Sequence, residues 1–130
     1  MPIEYRIEVE HEMARLIATG DIGENELWPA LRDLLSDPAY RPDFSIMVDG
    51  SRVERSTMGD KEMRALATRL ETFERERAGT RVGFLVEEGS VASRLVSTYV
   101  SLRSGGPYAL QVFTDHDECE AFVRGTSPGS

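Results

Sequence analysis

The chain carries a single cysteine, Cys119, so no disulfide can form within it. Its fold must hold without covalent staples, which fits a reducing compartment. Histidine is almost as scarce, with only His11 and His116. His116 and Cys119 stand three apart on a helical segment, but zinc would need a third and a fourth ligand. They read as a solvated imidazole and a packed thiol. No stretch reaches the roughly 20 apolar residues of a membrane span. The opening Met-Pro-Ile-Glu-Tyr-Arg lacks a basic segment followed by an apolar run, so no secretory signal is expected. Phosphate-cradling Gly-x-Gly-x-x-Gly and Gly-x-x-x-x-Gly-Lys motifs are missing. Neither histidine lies near a serine that could serve as a nucleophile. Basic charge is in deficit, with 15 Lys and Arg against 23 Asp and Glu and a net charge of -8. That balance disfavours nucleic acid and anionic membranes as partners, and it makes the Glu87-Glu88 pair unremarkable as evidence of catalysis. The expectation is a cytoplasmic protein that is not an enzyme and holds no cofactor and no metal.

What the sequence does contain is enough for one domain. It has 130 residues, 40% hydrophobic and 29% charged, and a chain of this size buries roughly two-thirds of its unfolded surface. Ile3, Tyr5, Ile7 and Val9 alternate with Glu4, Arg6, Glu8 and Glu10, the period of a half-buried strand. His11-Glu12 is a turn, and 14–18 a second strand that closes a hairpin. Gly20 to Gly23 breaks the pattern. Leu27, Leu31, Leu34 and Leu35 recur at helical spacing, with Asn25 as N-cap and Pro29 near the first turn. Ser36-Asp37-Pro38 ends that helix. A strand is expected over 44–48, stopped by Asp49-Gly50-Ser51. Met63, Leu66, Ala67, Leu70 and Phe73 form one face of a long helix that ends near Ala78-Gly79. A strand follows over 82–86. Ser90 caps a helix whose Val91, Leu95, Val96, Tyr99 and Leu102 face inward, and Gly105-Gly106-Pro107 ends it. The last strand is 109–113. Asp115 with Glu118 resembles a capping box for a final helix that carries Cys119, Phe122 and Val123. The order β-β-α-β-α-β-α-β-α implies an α/β domain over 1–125, with a mixed, mostly parallel sheet of about five strands covered by helices. Residues 126–130 read as a flexible tail.

With this order, several stretches resemble the sulphate-transporter and anti-sigma-antagonist (STAS) class, above all its small stand-alone SpoIIAA-like bacterial members. They are Pro2-Ile3-Glu4-Tyr5-Arg6-Ile7, Leu34-Leu35-Ser36-Asp37-Pro38, Tyr40-Arg41-Pro42-Asp43-Phe44 and Val48-Asp49. Arg81-Val82-Gly83-Phe84-Leu85-Val86 and Val112-Phe113-Thr114-Asp115 complete the set. The resemblance implies a mixed sheet and a relation to the lipid-binding Sec14 fold. It also implies a serine at the start of the second helix, in an Asp-Ser-Ser-Gly-Leu motif, that a partner kinase phosphorylates. Here that place reads Arg55-Ser56-Thr57-Met58-Gly59. The acidic residue before the hydroxyls is absent, and Gly59-Asp60 stands for Gly-Leu.

The candidate sites follow from these readings. Ser56 and Thr57, where a loop enters a helix, are a phosphorylation or partner site, since a helix N-terminus favours phosphate; as plain structure they are an N-cap. Asp49, Ser51, Ser56, Glu87, Glu88 and Ser90 are expected at one edge beyond the carboxyl ends of the strands, where open α/β sheets bind ligands. Asp49-Gly50-Ser51 also has the makings of an Asx-type turn. Trp28, Tyr40, Tyr99 and Tyr108 are candidates to line an apolar pocket. Tyr108, Phe113 and Phe122 would form an aromatic patch for a two-fold homodimer, unless the two phenylalanines pack on each other inside the monomer. The leading function is a regulatory module for an unidentified protein partner under phosphorylation control; the alternative is a protein that binds a small apolar or lipid ligand.

Overall fold

The computed structural model describes residues 2–73, 75–103, 105–106 and 108–125. The tail expected over 126–130 lies outside the described residues, as do Ser104 and Pro107 of the loop expected to end the third helix.

Five strands form one sheet in sequence order: β1 (Ile3–Glu8), β2 (Met13–Ile22), β3 (Ser45–Ser56), β4 (Arg81–Leu85) and β5 (Ala109–Phe113). β1 pairs antiparallel with β2, and every later pair is parallel. The hairpin closes through a single turn of 3-10 helix at Val9–His11, with Glu12 in the left-handed region at φ 51°. Val9 lies in that turn rather than on the strand and is 54% exposed.

The period-two pattern splits the sheet into two faces. Ala14, Leu16, Ala18, Ile46, Val82 and Phe84 point to one side, under α1 (Glu24–Ser36), α2 (Asp60–Leu70) and α3 (Val91–Leu102). Met13, Met47 and Leu85 point to the other, where they pack with Cys119 and Val123 of α4 (His116–Arg124). The approach of α4 depends on Gly83, because a Cβ there would lie 2.7 Å from Val123 Cγ2 and 3.0 Å from Cys119 Sγ. On this face Arg15 is held between Glu8 and Glu120. Burial works against its charge, but hydrogen bonds to both carboxylates keep its pKa raised. The same bond from Arg15 holds the Glu120 carboxyl below its usual range.

Local signals at the later helices are realised. Ser90 Oγ accepts from Ser93 N–H at 3.1 Å, and Asp115 Oδ1 from Glu118 N–H at 2.9 Å. Leu102, expected to face inward, is 38% exposed in the last turn of α3.

Four elements differ from the expectation. β2 is not confined to 14–18 but runs from Met13 to Ile22, through the Gly20 expected to break it, because β3 pairs with it that far. Asn25 is not the N-cap of α1: Gly23 is, and the Glu26 carboxylate accepts the Gly23 N–H at 2.9 Å. The helix therefore starts earlier, and Pro29 falls in its second turn, where it has no N–H to give the Asn25 carbonyl. The second helix is shorter than its apolar face suggested. It ends at Leu70 and continues as 3-10 turns at Glu71–Phe73 and Arg75–Arg77. The largest difference is β3. Asp49-Gly50-Ser51 does not stop it, because β2 supplies a parallel partner as far as Ile22. The register slips between Ile17 and Thr19 and again between Gly20 and Asp21. Each slip adds one residue on the β3 side, the pattern of a bulge. Beyond Asp49, β3 has left β4 behind, and only β2 accompanies it.

Candidate functional site

Between the larger sheet face and helices α1 to α3 lies a cavity of about 130 Å³. Leu16, Ala18, Ile46, Val48, Val82 and Phe84 form its floor. Leu27, Leu31 and Leu35 of α1, Met63, Leu66 and Leu70 of α2, and Ala92, Leu95 and Val96 of α3 close over it. These leucines occupy the helical faces that the sequence marks as core, so the cavity is what the core leaves unfilled. Native interiors hold few voids larger than one water molecule. At about 24 cal/mol per Å³, an empty space of this size costs roughly 3 kcal/mol. Met58 and Met63, both lining residues, have flexible thioether chains that can adjust to an occupant.

The polar edge of the cavity sits at the amino ends of β4 and β5. Tyr99 on α3 and Tyr108 before β5 both line it, and their hydroxyl oxygens lie 3.3 Å apart. Burial first, then the neighbouring phenol, drives the Tyr99 pKa far upward, so the Tyr99 ring stays neutral. Arg77, from the turn before β4, also lines the cavity and is 7% exposed. Its guanidinium lies over the Tyr108 ring, 4.9 Å from the centroid. Its Nε and Nη2 atoms are buried without a hydrogen-bond partner. Tyr40, whose phenol burial pushes up against the opposing pull of the Arg77 guanidinium beside it, has a buried hydroxyl with no hydrogen bond of ordinary geometry. A wider groove of about 740 Å³ lies between β1 and α1, but its lining mixes Glu4, Arg6, Glu26 and Asp33 with Ile3 and Pro29 and has no converging set of donors.

Of the four aromatic residues named as pocket candidates, Tyr99 and Tyr108 line the cavity. Trp28 is instead half-buried on α1 beneath the Arg69 guanidinium, 5.2 Å from its ring centroid. Tyr40 packs edge-on against Phe44 at 6.2 Å. Arg77 went unnamed because the run Arg75-Glu76-Arg77 has the composition of a solvated loop. Its one sequence signal is that it immediately precedes the Ala78-Gly79 break.

The strand-end candidates divide into two places. Asp49 pairs in register with Leu85 at the end of β4, so Asp49 and Ser51, midway along β3, lie level with the carboxyl end of β4, which Glu87, Glu88 and Ser90 follow. There, Asp49 Oδ1 accepts from Ser51 N–H at 3.0 Å and Ser51 Oγ at 2.6 Å, the Asx-type bond within a bulged strand. Glu87 and Glu88 are exposed, and Ser90 is occupied as the N-cap of α3. Ser56 is not part of that edge. The extension of β3 carries it seven residues on, roughly 20 Å at about 3.3 Å per residue. Nor do Ser56 and Thr57 cap α2. Gly59 does, with the Glu62 carboxylate accepting its N–H at 2.8 Å. Ser56 Oγ accepts from Met58 N–H at 3.0 Å, and Thr57, exposed, donates its N–H to the Ile22 carbonyl at 3.3 Å.

Cys119 and His116 lie outside these places. Cys119 is fully buried, and burial, followed by the Asp49 charge, has its thiol pushed up to about 12. His116 is exposed, with Nδ1 3.2 Å from Asp117 Oδ1. The three aromatic residues expected to join two copies do not form one open patch. Tyr108 is 8% exposed, and Phe113 and Phe122 pack on each other with centroids 5.3 Å apart.

No family model matches the sequence, and no curated protein matches it. Among solved structures, the chain is similar to an uncharacterized protein of the DUF3478 family from Shewanella loihica PV-4 with a SpoIIAA-like fold. The TM-score is 0.59 at 13% sequence identity, over 93% of this chain and 91% of that one. At that identity the likeness shows the fold alone: the chain is a SpoIIAA-like α/β domain. Among the described residues, no helix is long and apolar enough to cross a membrane.

Proposed function

We propose that this protein is a non-catalytic binder of a small apolar molecule, taken up in the cavity between the sheet and helices α1 to α3. The observation that carries this reading is the cavity itself, about 130 Å³ with an almost wholly apolar lining. An engineered apolar cavity of roughly 150 Å³ in another protein stays dry and takes up benzene. Apart from Arg77 at one end, the lining offers water little to bind, because the Tyr99 and Tyr108 hydroxyls face each other. An occupant with a ring or a short chain would recover dispersion contacts that the empty cavity forfeits. The reading also makes use of Met58 and Met63 in the wall, where ordinary packing would serve with leucine.

The test is a titration of the full chain with benzyl alcohol, followed by methyl NMR and by the urea midpoint. Binding in the cavity shifts the methyls of Leu66, Leu95 and Val96 and saturates. At a free concentration 100 times Kd it stabilises the fold by about 2.7 kcal/mol. Shifts confined to surface residues, or an unmoved midpoint, would remove the reading.

A phosphorylation-controlled protein-binding module is the second reading, supported by the exposure of Thr57 at the tip of the β2–β3 extension. Mass spectrometry of protein purified from its own cells tests it; no phosphate on Ser56 or Thr57 and no partner in a pull-down would discard it.

A further inference from the structure

We propose that the cavity is selective for an apolar molecule bearing a carboxylate, and that Arg77 is the residue that reads the carboxylate. This rests on the cavity being a binding site and names the class of ligand it takes. Arg77 is 7% exposed and lines the cavity, and among the described residues no carboxylate forms an ion pair with it; its ring contact is Tyr108. A buried cation without a counter-charge is costly, and native proteins pair such groups or place them where a ligand completes them.

The geometry of the unsatisfied atoms narrows the ligand. The face of the guanidinium is covered by Tyr108 at 4.9 Å. The atoms left without partners are Nε and Nη2, which together form one edge of the planar fork. That edge presents two parallel N–H groups, the arrangement a carboxylate accepts with both oxygens. A hydroxyl or an amide oxygen would satisfy one of them. The rest of the lining, from Leu16 and Val82 to Leu66 and Val96, is apolar. The complementary molecule is a small aromatic or medium-chain carboxylic acid in its ionised form, with its body in the cavity and its head at Arg77.

The experiment compares benzoate with benzyl alcohol, which has a similar body and no charge, by calorimetric titration at pH 7 of the full chain and of Arg77→Met. The methionine keeps an unbranched apolar stem as far as the position of Nε and removes the fork and the charge. The wild-type protein should bind benzoate at least tenfold more tightly than benzyl alcohol. Arg77→Met should lose that preference while its affinity for benzyl alcohol stays within about twofold, which also reports that its cavity is intact. Equal affinities in the wild type, or a preference for benzoate that survives in Arg77→Met, would overturn the assignment of Arg77 and leave the cavity as a site for neutral molecules. If the wild type binds neither probe at millimolar concentration, the cavity reading itself falls, and this inference with it. Phenyl phosphate is the third arm. Binding tighter than benzoate would overturn the carboxylate in favour of a phosphate head.

Discussion

Replacing Gly83 with alanine tests how closely α4 is fitted to the sheet. An added Cβ would stand 2.7 Å from Val123 Cγ2, 3.0 Å from Cys119 Sγ and 3.4 Å from Phe122 Cδ2. Unstrained carbon contacts lie at about 3.5–4.0 Å, so the valine methyl alone must retreat by roughly 1 Å. Cys119 and Val123 are 0% and 2% exposed, and they close the small core with Met13, Met47 and Leu85. Neither can swing into solvent. The helix moves as a body or the side chains leave their rotamers, at a cost of about 1–3 kcal/mol. Alanine in a strand interior returns about 0.5–1 kcal/mol of backbone entropy relative to glycine. The net is a loss of about 1.5 kcal/mol. With an unfolding entropy of about 2.1 cal/mol/K per residue over this chain, that lowers Tm by roughly 5 °C. Urea denaturation followed by far-UV circular dichroism and by the fluorescence of Trp28 measures it. Val123→Ala provides the cross-check. Alone it opens a cavity and destabilises; combined with Gly83→Ala it makes room for the new methyl, so the double variant should be more stable than the two losses added together. A Gly83→Ala protein that melts at or above the wild type, or strictly additive losses, would refute the close approach.

Asp49→Ala should cost about 1 kcal/mol, because its Oδ1 accepts two bonds from Ser51 in the bulge; an unchanged urea midpoint would show that the bulge holds without it. Tyr99→Phe and Tyr108→Phe should each cost about 1 kcal/mol through the loss of their shared hydrogen bond. Tyr40→Phe should be neutral or stabilising, since its hydroxyl has no hydrogen bond of ordinary geometry, and a large destabilisation there would reveal a bond to that oxygen. Glu120 has a folded pKa below its unfolded value because Arg15 bonds the ionised form. Its contribution is therefore present above the unfolded pKa of about 4.3 and lost as pH falls through the lower folded value. Glu120→Gln should flatten that acid limb in urea midpoints taken from pH 6 down to pH 3, and a limb as steep as the wild type's would contradict the pairing.

What could be read in the sequence was whatever is settled over a few residues. The alternation from Ile3 to Ile7, the caps at Ser90 and Asp115 and the apolar runs of β4 and β5 carry their own instructions, and each element stands where it was expected. The end of β3 was not local in this sense. Asp49-Gly50-Ser51 has the composition of a turn, but it lies alongside a ten-residue β2 whose backbone groups need partners as far as Ile22. Pairing outweighed turn propensity, and the mismatch was absorbed as bulges. The N-cap of α1 failed for a related reason. Asn25 is a good cap by type, but Glu26 bonds the Gly23 N–H, and that fixes the start of the helix upstream. Arg77 illustrates the limit for the site. Nothing in Arg75-Glu76-Arg77 distinguishes the last arginine from a solvated one. Its burial is decided by Tyr108, delivered from the far side of α3.

The uneven division of the core between the two faces of the sheet sets how the molecule breathes. Three helices share the larger cluster, whereas α4 is held by a cluster of five buried residues, two of them its own, and by the pairing of Glu120 with Arg15. A helix of nine residues has little stability of its own, so α4 is expected to open before the rest of the domain unfolds. The one thiol of the chain is on its inner side. Cys119 is consequently a built-in clock for that opening. The rate at which an external reagent reaches it, under conditions where the domain as a whole is intact, counts how often the sheet lets its last helix go.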